Sequence, residues 1–210
     1  MVWRVNRPIN RIVGIAQKIT MNKRTKSNSI RIIAGQWRGR RLPVLDHDGL
    51  RPSTDRVRET LFNWLMHDIS GARCLDLFAG SGALGLECLS RGAKTAVFVE
   101  SNKRVALQLQ QNIMALDSMD RAEVINQNAL NAVRQQAIEP FDLVFLDPPF
   151  ASDLLTQVMP LLSDNGWLAD NALVYVEQPS KQDPYPTPGW DVYKEGKAGH
   201  SRYTLYSVAR

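Results

Sequence analysis

Val57, Leu61, Leu65 and Ile69 recur every four residues, with Phe62 and Trp64 beside them. This spacing predicts an amphipathic helix over 54–69 that stops at Gly71. Behind it, short apolar runs at 74–78, 95–99, 123–126, 141–146 and 173–176 alternate with helical spacings at 83–90, 103–116, 130–138 and 154–162. Strands separated by helices predict a parallel sheet covered on both faces, because only a crossover helix returns the chain to the start of the next strand. Past Pro179 the alternation breaks. A proline-rich stretch (Pro179, Pro184, Pro186, Pro188) leads to two strand-like runs, 190–193 and 203–208, joined through Gly196 and Gly199. They predict an antiparallel hairpin closing the sheet. Ahead of the first helix, the run Ile30, Ile32, Ile33, the turn 35–39 and the return 40–44 predict a small separate hairpin. Residues 1–28 show no period and are expected to be flexible. The expectation is therefore an α/β chain in three parts: a leader 1–28, a hairpin extension 29–50 and a main domain 51–210.

Composition alters this picture little, and charge distribution alters it more. The 210 residues are 44% hydrophobic and 22% charged, ordinary for a globular protein. No early apolar run is long enough for a signal-peptide core, and none later approaches a membrane span. Cys74 and Cys88 are too few for a disulfide framework or a metal site, so no metal is expected. The net charge is +5, yet residues 1–45 hold eleven of the 26 Lys and Arg and none of the 21 acids, leaving the rest at −6. A basic arm on an acidic body suits a polyanionic partner, and makes Arg31, Arg38, Arg40, Arg41 and Arg51 candidate nucleic-acid contacts.

The first strand runs into Asp76-Leu77-Phe78-Ala79-Gly80-Ser81-Gly82-Ala83-Leu84-Gly85. Gly80, Gly82 and Gly85 match a loop that turns tightly and brings a ligand against a helix N-terminus. Glu100 ends the second strand, where an acid grips a ribose hydroxyl pair. Both NAD and S-adenosylmethionine carry such a ribose. Asp76 separates them: a carboxylate there repels a pyrophosphate but suits a ligand with a sulfonium and an α-ammonium. Candidate cofactor contacts are Thr54, Asp76, Phe78, Gly80, Gly82, Glu100, Ser101, Asn128 and Ala129, the last two falling where this fold contacts adenine.

The fourth strand ends in Asp147-Pro148-Pro149-Phe150. Ligands in open parallel sheets sit at the carboxyl ends of the strands, so this motif faces the crevice of the glycine loop. A conjugated base amino group is a poor nucleophile. Asp147 and the Pro148 carbonyl can each accept one of its N–H bonds and hold the nitrogen in line with a sulfonium methyl. Pro148 and Pro149 pin the backbone that aims them, and Phe150 offers a face for an extruded base. Asp147 as an acceptor suits guanine, with adjacent N1–H and N2–H donors, while adenine N6 stays open as an alternative. Methylation at carbon needs a cysteine in this loop, and neither cysteine is near it.

Two further segments, Ile30-Arg31-Ile32-Ile33-Ala34-Gly35 with Trp37-Arg38-Gly39-Arg40, and Arg51-Pro52-Ser53-Thr54-Asp55-Arg56-Val57-Arg58-Glu59-Thr60-Leu61-Phe62-Asn63, join these motifs. Together they resemble the RsmD family of bacterial 16S rRNA guanine-N2 methyltransferases from about residue 29 to the end. The resemblance implies a monomeric, cytoplasmic, Rossmann-like class I methyltransferase. It implies S-adenosylmethionine as cofactor and 16S rRNA, in the 30S subunit or its assembly intermediate, as substrate. It also implies that the segment 51–54 closes over the cofactor. Family members begin near Met21, so residues 1–20 read as a start-site extension. Two other classes stay in view: a nicotinamide-dependent oxidoreductase, supported by the glycine pattern, and a non-catalytic RNA-binding module, opposed by the intact 147–150 motif.

Overall fold

The computed structural model describes residues 29–45, 55–150, 152–185 and 187–208. The leader 1–28, Arg51 and Thr54 lie outside the described residues.

Two sheets form. Strands β1 (Ser29–Arg31) and β2 (Arg41–Pro43) pair antiparallel, with Ile30 opposite Leu42. This is the small hairpin anticipated from the isoleucine run. After α1 (Asp55–Trp64), the chain alternates through β3 (Arg73–Asp76), α2 (Ala83–Ser90), β4 (Thr95–Glu100) and α3 (Lys103–Ala115). It continues through β5 (Ala122–Asn126), α4 (Ala129–Val133), β6 (Phe141–Leu146), α5 (Leu154–Asp164) and β7 (Leu168–Pro179). Strands β8 (Trp190–Ala198) and β9 (Ser201–Val208) follow. The seven strands lie in the order β5-β4-β3-β6-β7-β9-β8, the first five parallel and the last two added antiparallel, as the patterning predicts.

The sheet divides two cores. On one face Phe62, Leu61, Cys88, Leu109 and Ile113 pack with Cys74, Phe98 and Phe145, and the hairpin contributes Ile30, Ile32, Trp37 and Leu42 to that same core. On the other face Val133, Val158, Met159 and Leu162 cover Val97, Val144 and Val174. Since β3, β6 and β7 are covered on both sides, their apolar residues run consecutively instead of alternating.

Two predicted helices are shorter than their apolar spacing. Helix α1 ends at Trp64, although Leu65 and Ile69 remain buried. Helix α4 ends at Val133 because the amide of Ala137 turns to the carbonyl of Asn165 (3.0 Å) instead of continuing the ladder. Strand β7 is correspondingly longer than the run 173–176, because it has β6 on one side and β9 on the other.

Candidate active site

The glycine loop is shaped by backbone geometry and close packing. Gly80 and Gly82 have φ of 50° and 76°, in the left-handed region that favours glycine. A Cβ on Gly85 would lie 2.3 Å from the Phe98 ring, so α2 can approach β4 only without a side chain there.

Asp76 lies beneath this loop, 3% exposed, and accepts the Gly85 N–H at 3.1 Å. Helix α2 has Gly82 as its N-cap and hence no side-chain cap of its own, so Asp76 satisfies an orphan donor of its first turn. Burial raises the Asp76 carboxyl to about 7; the Gly85 hydrogen bond opposes the rise and the charge of Glu100 adds to it. Glu100 reaches back to the loop: one oxygen accepts Gly80 N–H at 2.9 Å, the other Asn102 N–H at 2.6 Å. Ser101 hydrogen-bonds the same carboxylate at 3.5 Å. Asn128 caps α4 through its oxygen (Asn131 N–H, 3.3 Å), which points its amide chemistry towards donation. Ala129 is the first residue of that helix, and Phe78 packs against the second core.

The 147–150 motif leaves the end of β6, beside the glycine loop that leaves β3. Pro148 is buried and Pro149 exposed, and the Pro149 carbonyl accepts both the amide (3.0 Å) and the hydroxyl (2.7 Å) of Ser152, which ties the loop down. Phe150 is 43% exposed, an aromatic face left to water.

The register reveals a row of acids. Asp76 pairs with Phe98 on β4 and Phe145 on β6, so Glu100 and Asp147, each two residues further, share its face of the sheet. Tyr175 of β7 pairs with Phe145, which puts Glu177 level with Asp147 on that face. Four adjacent strands, β4, β3, β6 and β7, thus each carry a carboxylate at the carboxyl end. Glu177 escaped the sequence reading.

The profile of the family described as Conserved hypothetical protein 95 matches residues 30–207. The chain belongs to this family, the RsmD family. Within it, the chain is 54% identical over 180 residues to the Ribosomal RNA small subunit methyltransferase D of Haemophilus influenzae, covering 84% of this chain and 93% of that one. To the protein of the same name from Escherichia coli K12 it is 52% identical over 181 residues, covering 86% and 90%. A solved structure of an Escherichia coli protein described as a methyltransferase superposes with a TM-score of 0.80 at 50% identity, covering 87% of this chain and 99% of that one. The fold is the Rossmann-like class I methyltransferase fold that the sequence predicts.

In this RsmD-family chain the basic hairpin is docked, not loose. Glu87, wholly buried on α2, accepts the backbone N–H groups of Ile33 (2.8 Å) and Ala34 (2.9 Å) and pairs with Arg91 Nε (2.7 Å). Ser90 accepts Trp37 N–H through Oγ and Gln36 N–H through its carbonyl. Of the basic candidates, Arg31 pairs with Asp55 (3.1 Å) and Arg40 donates to the Ala115 carbonyl (3.0 Å) at the end of α3. Arg38 and Arg41 are exposed on the same hairpin. Val44 and Leu45, leaving it, line a cavity with Gly80 and Ser81. No helix among the described residues is long and apolar enough to cross a membrane.

Proposed function

We propose that this chain transfers the methyl group of S-adenosylmethionine to an exocyclic amino nitrogen in small-subunit rRNA, specifically N2 of a guanine in 16S rRNA. The observation that carries this reading is the pair Asp76 and Glu100, which hold the glycine loop through the Gly85 and Gly80 amides. A pyrophosphate would meet these two acids with like charge, whereas a sulfonium and an ammonium would meet them with opposite charge. The donor set therefore fits S-adenosylmethionine and opposes a nicotinamide dinucleotide. In this reading Glu100 accepts the ribose hydroxyls, and the glycines of the loop 80–82 let its backbone approach the ligand. Asn128, Ala129, Ser101 and Phe78 are assigned to the adenosine.

When bound, S-adenosylmethionine would supply an electrophilic methyl group to the amino nitrogen and leave as the neutral thioether, and the proton lost from nitrogen would pass to solvent. Asp147 and the Pro148 carbonyl accept the two amino hydrogens, which aims the lone pair and stabilises the positive charge that develops on nitrogen. Phe150 stacks the extruded base, and Pro149 fixes the loop. Arg38 and Arg41, with Arg31 and Arg40, meet RNA phosphates. The family resemblance extends this reading to a cytoplasmic monomer acting on the 30S subunit or its assembly intermediate.

Mass spectrometry of 16S rRNA nucleosides from cells with and without the protein tests it. N2-methylguanosine should fall by one residue per rRNA in its absence. An unchanged level, or loss of N6-methyladenosine instead, would overturn the guanine assignment.

A further inference from the structure

Glu177, near the carboxyl end of β7, has no role in the chemistry above. The pairings Phe145 with Tyr175 and Leu146 with Val176 carry β6 and β7 in parallel up to the strand ends. Continued one residue past these pairings, the register would set Asp147, the residue after β6, beside Glu177 on one face of the sheet. Glu177 is 5% exposed, and its Oε2 accepts the Tyr175 hydroxyl at 2.9 Å. Tyr175 is itself buried. Its hydroxyl is pushed well above its ordinary value by burial first and then by the charges of Glu177 and Asp147. On β9, Tyr203 pairs with Glu177 and its ring lies tilted against Trp64, with centroids 5.5 Å apart, and covers Gly196, where a Cβ would lie 2.5 Å away.

A second acid held against aromatic rings is costly to bury unless hydrogen-bond donors or a cation offset the cost. Tyr175 supplies one donor and fixes the orientation. An acceptor base with two adjacent N–H groups would bring a matching pair of donors to the two acids.

We propose that Glu177 is a specificity-determining residue that accepts the N1–H of the target guanine while Asp147 accepts an N2–H. The inference rests on the base-amino reading above and goes beyond it by assigning the discrimination between bases to a residue of β7. Adenine, and any purine with an N1 lone pair, would turn an acceptor towards this carboxylate. In a site withdrawn from water, such a mismatch is rejected more strongly than a missing methyl group in an apolar pocket.

The test uses the full chain and small subunits reconstituted with rRNA that carries either guanine or 2-aminopurine at the methylated position. 2-Aminopurine keeps the exocyclic amino group but has an N1 lone pair in place of N1–H. Single-turnover transfer by the parent should be slower on 2-aminopurine by about tenfold or more. Glu177→Gln keeps the volume and an acceptor for Tyr175 and adds a donor. It should slow transfer to guanine by about tenfold and raise the 2-aminopurine-to-guanine ratio by a similar factor, with cofactor affinity unchanged. Glu177→Asp, retaining the charge, should keep the parental preference. An unchanged ratio in Glu177→Gln overturns the proposal whatever the absolute rate. If that variant does not fold, equal rates of the parent on the two bases overturn it alone. Transfer by the parent to neither RNA would remove the amino-methyltransferase reading, and this inference with it.

Discussion

The carboxylate of Glu87 on α2 accepts the backbone N–H of Ile33, in the turn of the basic hairpin, at 2.8 Å. Helix α2 starts at the glycine loop, so the same eight-residue helix carries the candidate cofactor loop at one end and holds the basic hairpin at the other. Hairpin and glycine loop are thus joined through one short helix.

Removing that carboxylate strands three donors, the amides of Ile33 and Ala34 and the guanidinium of Arg91. Glu87→Ala should therefore cost about 3 kcal/mol or more of stability, the scale of a broken buried pair. Urea denaturation measures the loss. Native-state hydrogen exchange should show the Ile33 and Ala34 amides losing protection first; equal protection in variant and parent would contradict the clamp.

Gly35 meets the other end of that clamp. It has φ +80°, and a Cβ there would lie 1.9 Å from the Ser90 carbonyl oxygen. Gly35→Ala should undock the hairpin, read as a lower Tm and as faster proteolysis within 29–45. Gly39→Ala, with a similar φ of +81° but open space around it, should cost clearly less.

Asp76 gives a signed pH dependence. Its folded value of about 7 lies above the ordinary 3.8, so between these limits the folded chain holds a proton that the unfolded chain has released. Stability contributed by this group is thus present below about pH 4 and declines as pH rises towards 7. Asp76→Asn removes the effect, and its Tm relative to the parent should climb across that window and level off above it. Binding of the cationic cofactor should expel the proton, so calorimetry near pH 7 in buffers of different ionisation enthalpy should show proton release that the variant lacks.

Asp147→Ala should retain cofactor binding and lower the single-turnover transfer rate by about a hundredfold or more, the effect of deleting one preorganised electrostatic contact. RNA affinity should change little, because phosphate contacts supply most of it. A parental transfer rate would mean that the acceptor site lies elsewhere.

For the basic hairpin, Arg38 and Arg41 are the clean probes. Arg40 also caps α3 through the Ala115 carbonyl, so its charge reversal would put an acid at a helix C-terminus. Arg38→Glu with Arg41→Glu should lower the log–log salt slope of RNA binding by about 0.9 for each duplex phosphate that is no longer neutralised. An unchanged slope would free the hairpin from any part in RNA binding.

The strand–helix alternation, the closing antiparallel hairpin and the glycine loop are legible in the sequence because each has a local signature in period or residue type. Glu177 is not. The apolar run that marks its strand stops at Val176, and Glu177 and Gln178 read as the polar exit of a strand. They are buried because β9, distant in sequence, inserts beside them and Tyr175 reaches Glu177 from below. Helix α4 ends early for the same kind of reason: the partner that stops it, Asn165, belongs to another element. By charge alone Arg40 reads as a phosphate contact, and its bond to Ala115 depends on where α3 ends.

Helix α3 also sets a length. It starts at Lys103, three residues after Glu100, and ends at Ala115, where Arg40 is anchored. Thirteen residues at 1.5 Å each separate the two ends by about 20 Å. On the proposed function, a backbone contact at the arginine-bearing turn would fall on the order of six steps of a duplex strand, at 3.4 Å each, from the ribose-binding end of the crevice. A short oligonucleotide that spans less than this would reach one of the two places and not both.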